Sequence, residues 1–368
     1  MWAKLNTLVK NLDWWLLTSV LLLVCFGLAE IYSVSYSQGT GELVNFKRQL
    51  LSVVLGLVIM LVLVLTDYYF FYSYNNYFYI LAVFILVAVL VFGKVVNNTK
   101  GWFSLFSLNF QPVELVKLFL LIFLARYFSG ASLKQQPLRH LFVSGTGVGI
   151  LLLLIMLQPD LGSALILFAV WFGLLIFVGF PKRYLAGILL VVAIVSAVSW
   201  RFWLQDYQKE RVLSFVAPIS SLSRDYNVNQ AIIAVGAGGW LGRGLGFGSQ
   251  SQLKFLPEAK NDFMFAVISE ELGFLGVAIT LFFFGLILFR LLKNLPKIKD
   301  DFGIFFLLGA AILIFIEMFT NIGMNMGLLP VVGIGLPFLS YGGSAMLVNL
   351  MIIGIAESII VRSKIKNY

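Results

Sequence analysis

The chain has 368 residues, 60% of them hydrophobic, 15% aromatic and 12% charged, with a net charge of +9 and a mean hydropathy of +0.96. Soluble domains average about 45–50% apolar and about 25% charged residues, so a soluble fold, a disordered chain and a disulfide scaffold are excluded. The apolar residues arrive in blocks of about twenty, the length at which a helix satisfies its own backbone across lipid.

Ten such blocks cover roughly 14–33, 49–66, 77–93, 112–128, 141–157, 161–179, 184–203, 263–289, 302–326 and 340–361. Each predicts a helix that crosses the bilayer, with tilt where needed. Lys4 and Lys10 precede the first block, but no small-residue cleavage site follows, so it is read as a retained helix and not a signal peptide. An even number of spans puts both termini on one side. Taking that side as the cytoplasm gathers Lys4, Lys10, Arg126, Lys134, Arg139, Lys182, Arg183, Arg290, Lys293, Lys297, Lys299, Arg362, Lys364 and Lys366 there. The short outer loops keep Lys47, Arg48, Lys94 and Lys100, and the positive-inside rule sets the orientation. The basic excess therefore speaks for membrane topology, and no nucleic-acid partner is expected. The expected fold is all-α: one polytopic membrane domain, 1–368, of ten transmembrane helices. A large extracytoplasmic segment, 204–262, lies between helices 7 and 8. Loops this long are uncommon unless functional or disordered. Its apolar patch Ala231–Val235 suggests packing on the membrane domain.

Cys25 is the only cysteine and His140 the only histidine, which leaves no disulfide and argues against Cys- or His-built metal sites. The candidate chemistry is carried by carboxylates and lysines. Glu114 and Lys117 follow Pro112 at i,i+3 on one helical face. Charge at membrane depth turns toward the bundle interior or a wet cavity, as an ion pair or as a functional site. Asp160, in Gln158-Pro159-Asp160-Leu161-Gly162, suits an N-cap of the next helix. Asp262 precedes the eighth span and is either another N-cap or a carboxylate at a water–lipid boundary that accepts a proton. Seven glycines fall between Gly236 and Gly248 in no nucleotide-binding register. They form a packed turn or a backbone that approaches a phosphate or sugar, helped by Arg243 and Lys254. The connection from Asn321 through Pro330, Gly333, Gly335 and Pro337 to Ser340-Tyr341-Gly342-Gly343-Ser344 is too rich in Gly and Pro for regular helix. Irregular backbone at membrane depth is tolerated where protein buries it or it lines a cavity. Glu317, Glu270 and Glu271 point toward the same interior.

Six stretches in order carry a resemblance: Phe110-Gln111-Pro112-Val113-Glu114-Leu115-Val116-Lys117, Gln158-Pro159-Asp160-Leu161-Gly162, Val228-Asn229-Gln230-Ala231, Leu256-Pro257-Glu258-Ala259, Asn261-Asp262-Phe263 and Glu270-Glu271-Leu272-Gly273. With the longer run Asn321–Ser344, the chain resembles the SEDS family of RodA, FtsW and SpoVE proteins over essentially its whole length. The Gly327–Ser344 connection and Ser249–Leu253 look most like the RodA branch. Lys260-Asn261 stands where the family usually has His-Thr. The resemblance implies a peptidoglycan glycosyltransferase of the bacterial plasma membrane that polymerises lipid II in cell-wall elongation. It implies Asp262 as the base and a class B penicillin-binding protein as partner. Lys117, Arg211, Arg243 and Lys254 are candidates for the charge on the departing diphosphate. Ser340 joins them as a substrate-binding or structural residue. No tightly bound cofactor is expected, although a divalent cation such as Mg2+ would serve the same diphosphate. An FtsW-like septal polymerase and a transporter of the lipid-linked precursor are the alternatives.

Overall fold

The computed structural model describes residues 2–37, 43–96, 99–105, 108–130, 137–202, 209 and 226–365. A short helix α1 (Trp2–Asn11) leads into α2 (Trp14–Ser37) and α3 (Leu43–Leu65). After α4 (Tyr69–Ser73) and α5 (Asn75–Phe92), three short strands follow: β1 (Lys94–Val96), β2 (Thr99–Leu105) and β3 (Leu108–Phe110). Then come α6 (Pro112–Ser129), α7 (Pro137–Met156), α8 (Leu161–Val178) and α9 (Lys182–Phe202). The remainder is α10 (Tyr226–Ala237), α11 (Ser249–Gln252), α12 (Met264–Asn294), α13 (Asp301–Asn325) and α14 (Gly343–Ile365).

Every apolar block of the sequence falls on one of these helices. Nine helices among the described residues are long and apolar enough to cross a membrane. The block at 112–128 forms α6, which is not among the nine; its 18 residues include Glu114, Lys117 and Arg126. It is nonetheless central, for α6 packs against α5, α13 and α14. Of the nine candidate spans, α14 and α13 are the most enclosed, with 83% and 61% of their apolar windows buried, whereas α9 buries none. α14 lies against α3 along much of its length, parallel to it: Gly342 N–H donates to Gln49 near one end and Ser358 Oγ to the Thr66 carbonyl near the other.

The strands correct the all-helical expectation. They form an antiparallel β1–β2–β3 sheet between α5 and α6. Lys94 pairs with Trp102 and Phe103 with Phe110, with a register shift after Lys94. The pairing segments, Val95-Val96, Thr99 and Trp102-Phe103, are β-branched and aromatic residues of the kind that fit a pleated surface. The sheet delivers the chain to Gln111, whose backbone N–H donates to Ser344 Oγ at 2.9 Å, and Pro112 opens α6 with its φ already helical.

The described part of the long segment packs on the bundle. Ala231 and Ala234 of α10 are fully buried, and α10 lies against α12. Its glycines dock backbone to backbone. A Cβ on Gly238 would lie 1.7 Å from the Ser269 carbonyl oxygen, and one on Gly273 would lie 2.3 Å from Gly242 N. Gly273 itself breaks α12 with φ 61° and ψ −158°. The two amide groups freed near the break are re-satisfied by the turn: Phe274 and Leu275 N–H donate to the Gly239 and Trp240 carbonyls.

Candidate active site

At one end of the bundle α12 begins beside the connection between α13 and α14. Asp262 lies just before that helix, half-buried. The cap position is Phe263, which offers no side-chain cap, so Asp262 is not the N-cap residue. Two asparagines one turn apart on α13 hold its main chain. Asn321 Nδ2 and Asn325 Nδ2 each donate to the Asp262 carbonyl at 2.9 Å. Asn321 Nδ2 also donates to the Ile334 carbonyl at 2.7 Å, and Asn325 Oδ1 accepts the Ala266 N–H at 3.1 Å. Both asparagines are fully buried, and a buried amide left unpaired costs about 1–3 kcal/mol. This clamp was not singled out in the sequence beyond its place in the Asn321–Ser344 run.

The irregular connection passes next to the carboxylate. Gly333 adopts φ +73°, and a Cβ there would stand 3.7 Å from Asp262 Oδ2. Its neighbour Val332 covers the start of α8, where a Cβ on Gly162 would meet the Val332 carbonyl at 2.3 Å. Tyr341 N–H donates to the Lys260 carbonyl at 2.8 Å, tying the far end of the connection to the residues before Asp262. Ser340 is hydrogen-bonded within this turn and to α3. Its Oγ accepts the Leu336 N–H at 2.8 Å, and its carbonyl accepts from Gln49 Nε2 at 3.3 Å.

Asp160 caps α8: Oδ1 accepts the Ser163 N–H at 3.0 Å and Oδ2 the Ser163 hydroxyl at 2.8 Å. Gln111 Nε2 reaches the same Oδ2 at 3.5 Å. The Val332–Gly162 contact brings this cap into the neighbourhood of Gly333 and hence of Asp262.

Glu114 and Lys117 form an ion pair, and the partner that sequence spacing alone does not give is Glu317 of α13. Lys117 Nζ donates to Glu114 at 2.8 Å and to Glu317 at 2.7 Å. The side chains of Lys117 and Glu317 are only 5% and 4% exposed, so this ammonium is closed off from anything docking at the bundle surface. Leu120, Leu121, Ile166, Leu167, Val170 and Leu313 surround it on the apolar side. Glu317 lies one turn before Asn321, so the cluster and the asparagine clamp share a face of α13.

Of the candidate basic residues of the long segment, two are described. Arg243 is exposed in the glycine-rich turn, with Nη1 donating to Ser249 Oγ at 2.7 Å. Lys254 is exposed with φ 62°. Arg211 lies outside the described residues. The glycines make a packed turn and not an open anion cradle. The N–H groups of Arg243 and Gly244 are taken by the Glu270 and Glu271 carbonyls, and that of Gly246 by Glu271 Oε2. Glu270 accepts from the Gln250 and Ser251 amides and the Ser251 hydroxyl. Glu271 accepts from Ser33 of α2 at 2.7 Å. These two acids fasten the turn to the bundle. Among the described residues no three His, Cys, Asp or Glu side chains gather as metal ligands.

A family model described as cell cycle protein, covering FtsW, RodA and SpoVE, matches residues 13–365. The chain belongs to this family. It is 34% identical over 355 residues to peptidoglycan glycosyltransferase MrdB of Escherichia coli K12, covering 95% of this chain and 93% of that protein. It is 33% identical to a probable peptidoglycan glycosyltransferase FtsW of Nitrosomonas europaea, over 94% of this chain and 92% of the relative. Among solved structures, the rod shape determining protein RodA of Thermus thermophilus matches with TM-score 0.70 and 27% identity, over 95% of this chain and 96% of that one. A chain from a peptidoglycan synthase complex, described as coordinating polymerization and crosslinking, matches with TM-score 0.80 and 28% identity, over 96% and 98% of the two chains.

Proposed function

We propose that this protein is a peptidoglycan glycosyltransferase of the RodA type that polymerises lipid II in cell-wall elongation. It would act in the bacterial plasma membrane with both termini cytoplasmic. Arg290, Lys293, Lys297, Arg362 and Lys364 near the end of the bundle opposite Asp262 support that orientation. The observation that carries the catalytic reading is the half-buried Asp262 carboxylate at the bundle end, beside the exposed Gly333 backbone, with its main chain clamped by Asn321 and Asn325. A donor sugar α-linked to diphosphate and a β-linked product require one inverting displacement. The acceptor 4-hydroxyl oxygen bonds to the anomeric carbon, the bond from that carbon to the diphosphate oxygen breaks, and the polyprenyl diphosphate leaves with the electron pair. Asp262 takes the hydroxyl proton, and its charge stabilises the oxocarbenium-like transition state.

The departing diphosphate needs positive charge. Lys117, already held by two carboxylates, is better suited to fixing α6 against α13. Arg211, Arg243 and Lys254 are the remaining candidates, and a Gln substitution at the residue in contact should raise KM. The chain of the peptidoglycan synthase complex supports a crosslinking partner, for which a class B penicillin-binding protein is our assignment.

The test is polymerisation of lipid II by purified protein in liposomes, with and without the partner. Asp262→Ala should lower the rate at least ~100-fold, the low end of a general-base contribution, with thermal stability unchanged. A variant that polymerises normally removes Asp262 from the mechanism. Movement of lipid II across the bilayer without glycan product would favour a transporter instead.

A further inference from the structure

The glycine-rich turn exposes large apolar side chains to a degree unusual for a segment expected in water. Trp240 is 77% exposed, Leu241 76%, Phe247 76% and Leu245 50%. Much of its backbone is paired: Gly242, Arg243, Gly244, Gly246 and Phe247 donate within the turn or to Glu270 and Glu271, and the Gly239 and Trp240 carbonyls accept from α12. Paired backbone is the condition for entering hydrocarbon. The apolar surface is also continuous with a helix face. The Trp240 ring packs edge-on against Phe274, centroids 5.1 Å apart, and Phe274, Leu275, Ile279, Phe282 and Phe289 continue an exposed apolar stripe down α12. From Phe274 to Asn294 the helix rises about 30 Å at about 1.5 Å per residue, the thickness of a hydrocarbon core. Arg290 and Lys293 occupy the far end. The break at Gly273 therefore falls at the hydrocarbon boundary, where tryptophan and other large aromatics partition favourably.

We infer that Trp240, Leu241, Leu245 and Phe247 dip into the bilayer, making the turn a phospholipid-facing anchor for the segment that leads to Asp262. The occupant is bulk lipid, because the stripe the turn extends is the lipid-exposed face of a membrane span. This inference rests on the chain spanning a membrane and not on the catalytic assignment.

Cys25 is the only cysteine, so Cys25→Ser gives a background for single spin labels at Trp240→Cys and Phe247→Cys. Phe282→Cys and Lys299→Cys serve as mid-span and aqueous references. The full chain is reconstituted in phosphatidylcholine–phosphatidylglycerol vesicles, and collision with oxygen is compared with collision with a water-soluble nickel chelate. Monodisperse elution of each variant establishes that it is folded. Labels at 240 and 247 are expected to favour oxygen over nickel, as Phe282→Cys does. A nickel preference like that of Lys299→Cys, at both sites, would mean the turn stands in water and overturns the inference. Low collision with both reagents would mean that protein, a partner or a second copy, covers the turn, and overturns it equally.

Discussion

Asp13, at the junction of α1 and α2, is 1% exposed and holds three elements together. Its carboxylate takes the Arg290 guanidinium of α12 at 2.7–3.0 Å and Asn294 Nδ2 at 2.7 Å, while its own N–H donates to Glu357 of α14 at 3.1 Å. Burial works to raise the pKa of this acid, but the hydrogen bonds from Arg290 and Asn294, aided by the Leu16 amide and the Arg290 charge, leave it lowered. A depressed carboxylate stabilises the fold above its unfolded pKa of about 3.9, and that contribution is lost as pH falls through the folded value. Thermal unfolding in detergent should show an acid loss of stability starting near pH ~4 that Asp13→Asn lacks. Removing one partner of a buried pair costs about 3–5 kcal/mol. The Arg290 side chain keeps 17% exposure, so the lower end is expected for Asp13→Asn near neutral pH. At the other end of the bundle, Asn325→Ala strips donors and acceptors from the Asp262 carbonyl and the Ala266 amide. It should lower the polymerisation rate while leaving a protein that still elutes as a folded species, with a stability loss of about 1–3 kcal/mol. Full activity in that variant would mean the clamp does not position Asp262.

At the scale of elements, α12 is the part of the fold least like its sequence pattern. Composition predicts one uninterrupted span over 263–289, and the helix indeed runs Met264–Asn294. The break at Gly273 is invisible to periodicity, because it is made by a turn some thirty residues earlier in the chain. Gly273→Ala forces a side chain into a region of φ and ψ open almost only to glycine, at about 1–3 kcal/mol, and drives its Cβ into the Gly242 backbone. We expect a lower thermal midpoint and easier proteolysis of the glycine-rich turn; an unchanged midpoint would mean the break is adjustable. The sheet before α6 was also illegible. Three short strands among long apolar runs leave only a weak alternation, whereas the long runs announce themselves because lipid demands their length. Asp160 was readable as a cap because capping is local. The asparagine clamp was not, because it joins residues that only the tertiary fold brings together.

At the scale of the whole molecule, the peripheral α9 and the enclosed α13 and α14 show how a uniformly apolar composition conceals the centre. All three read alike as spans. What separates them is the polar residues on the inner helices, Glu317, Asn321, Asn325, Asn349 and Glu357, all buried. The sequence therefore marked the interior through its rare charges. It did not reveal their partners, since Lys117 and Glu317 are two hundred residues apart. That distance has a consequence for heredity. An ammonium held between two carboxylates cannot be lost by itself without leaving like charges face to face in a dry setting, so the three positions should show strong epistasis. Lys117→Met alone should fail to accumulate as folded protein, while Lys117→Met with Glu114→Gln and Glu317→Gln should recover much of the yield. A library randomised at these three codons and selected for folding should return a lysine with at least one carboxylate partner or an uncharged trio, with genotypes that keep both carboxylates and lose the lysine missing.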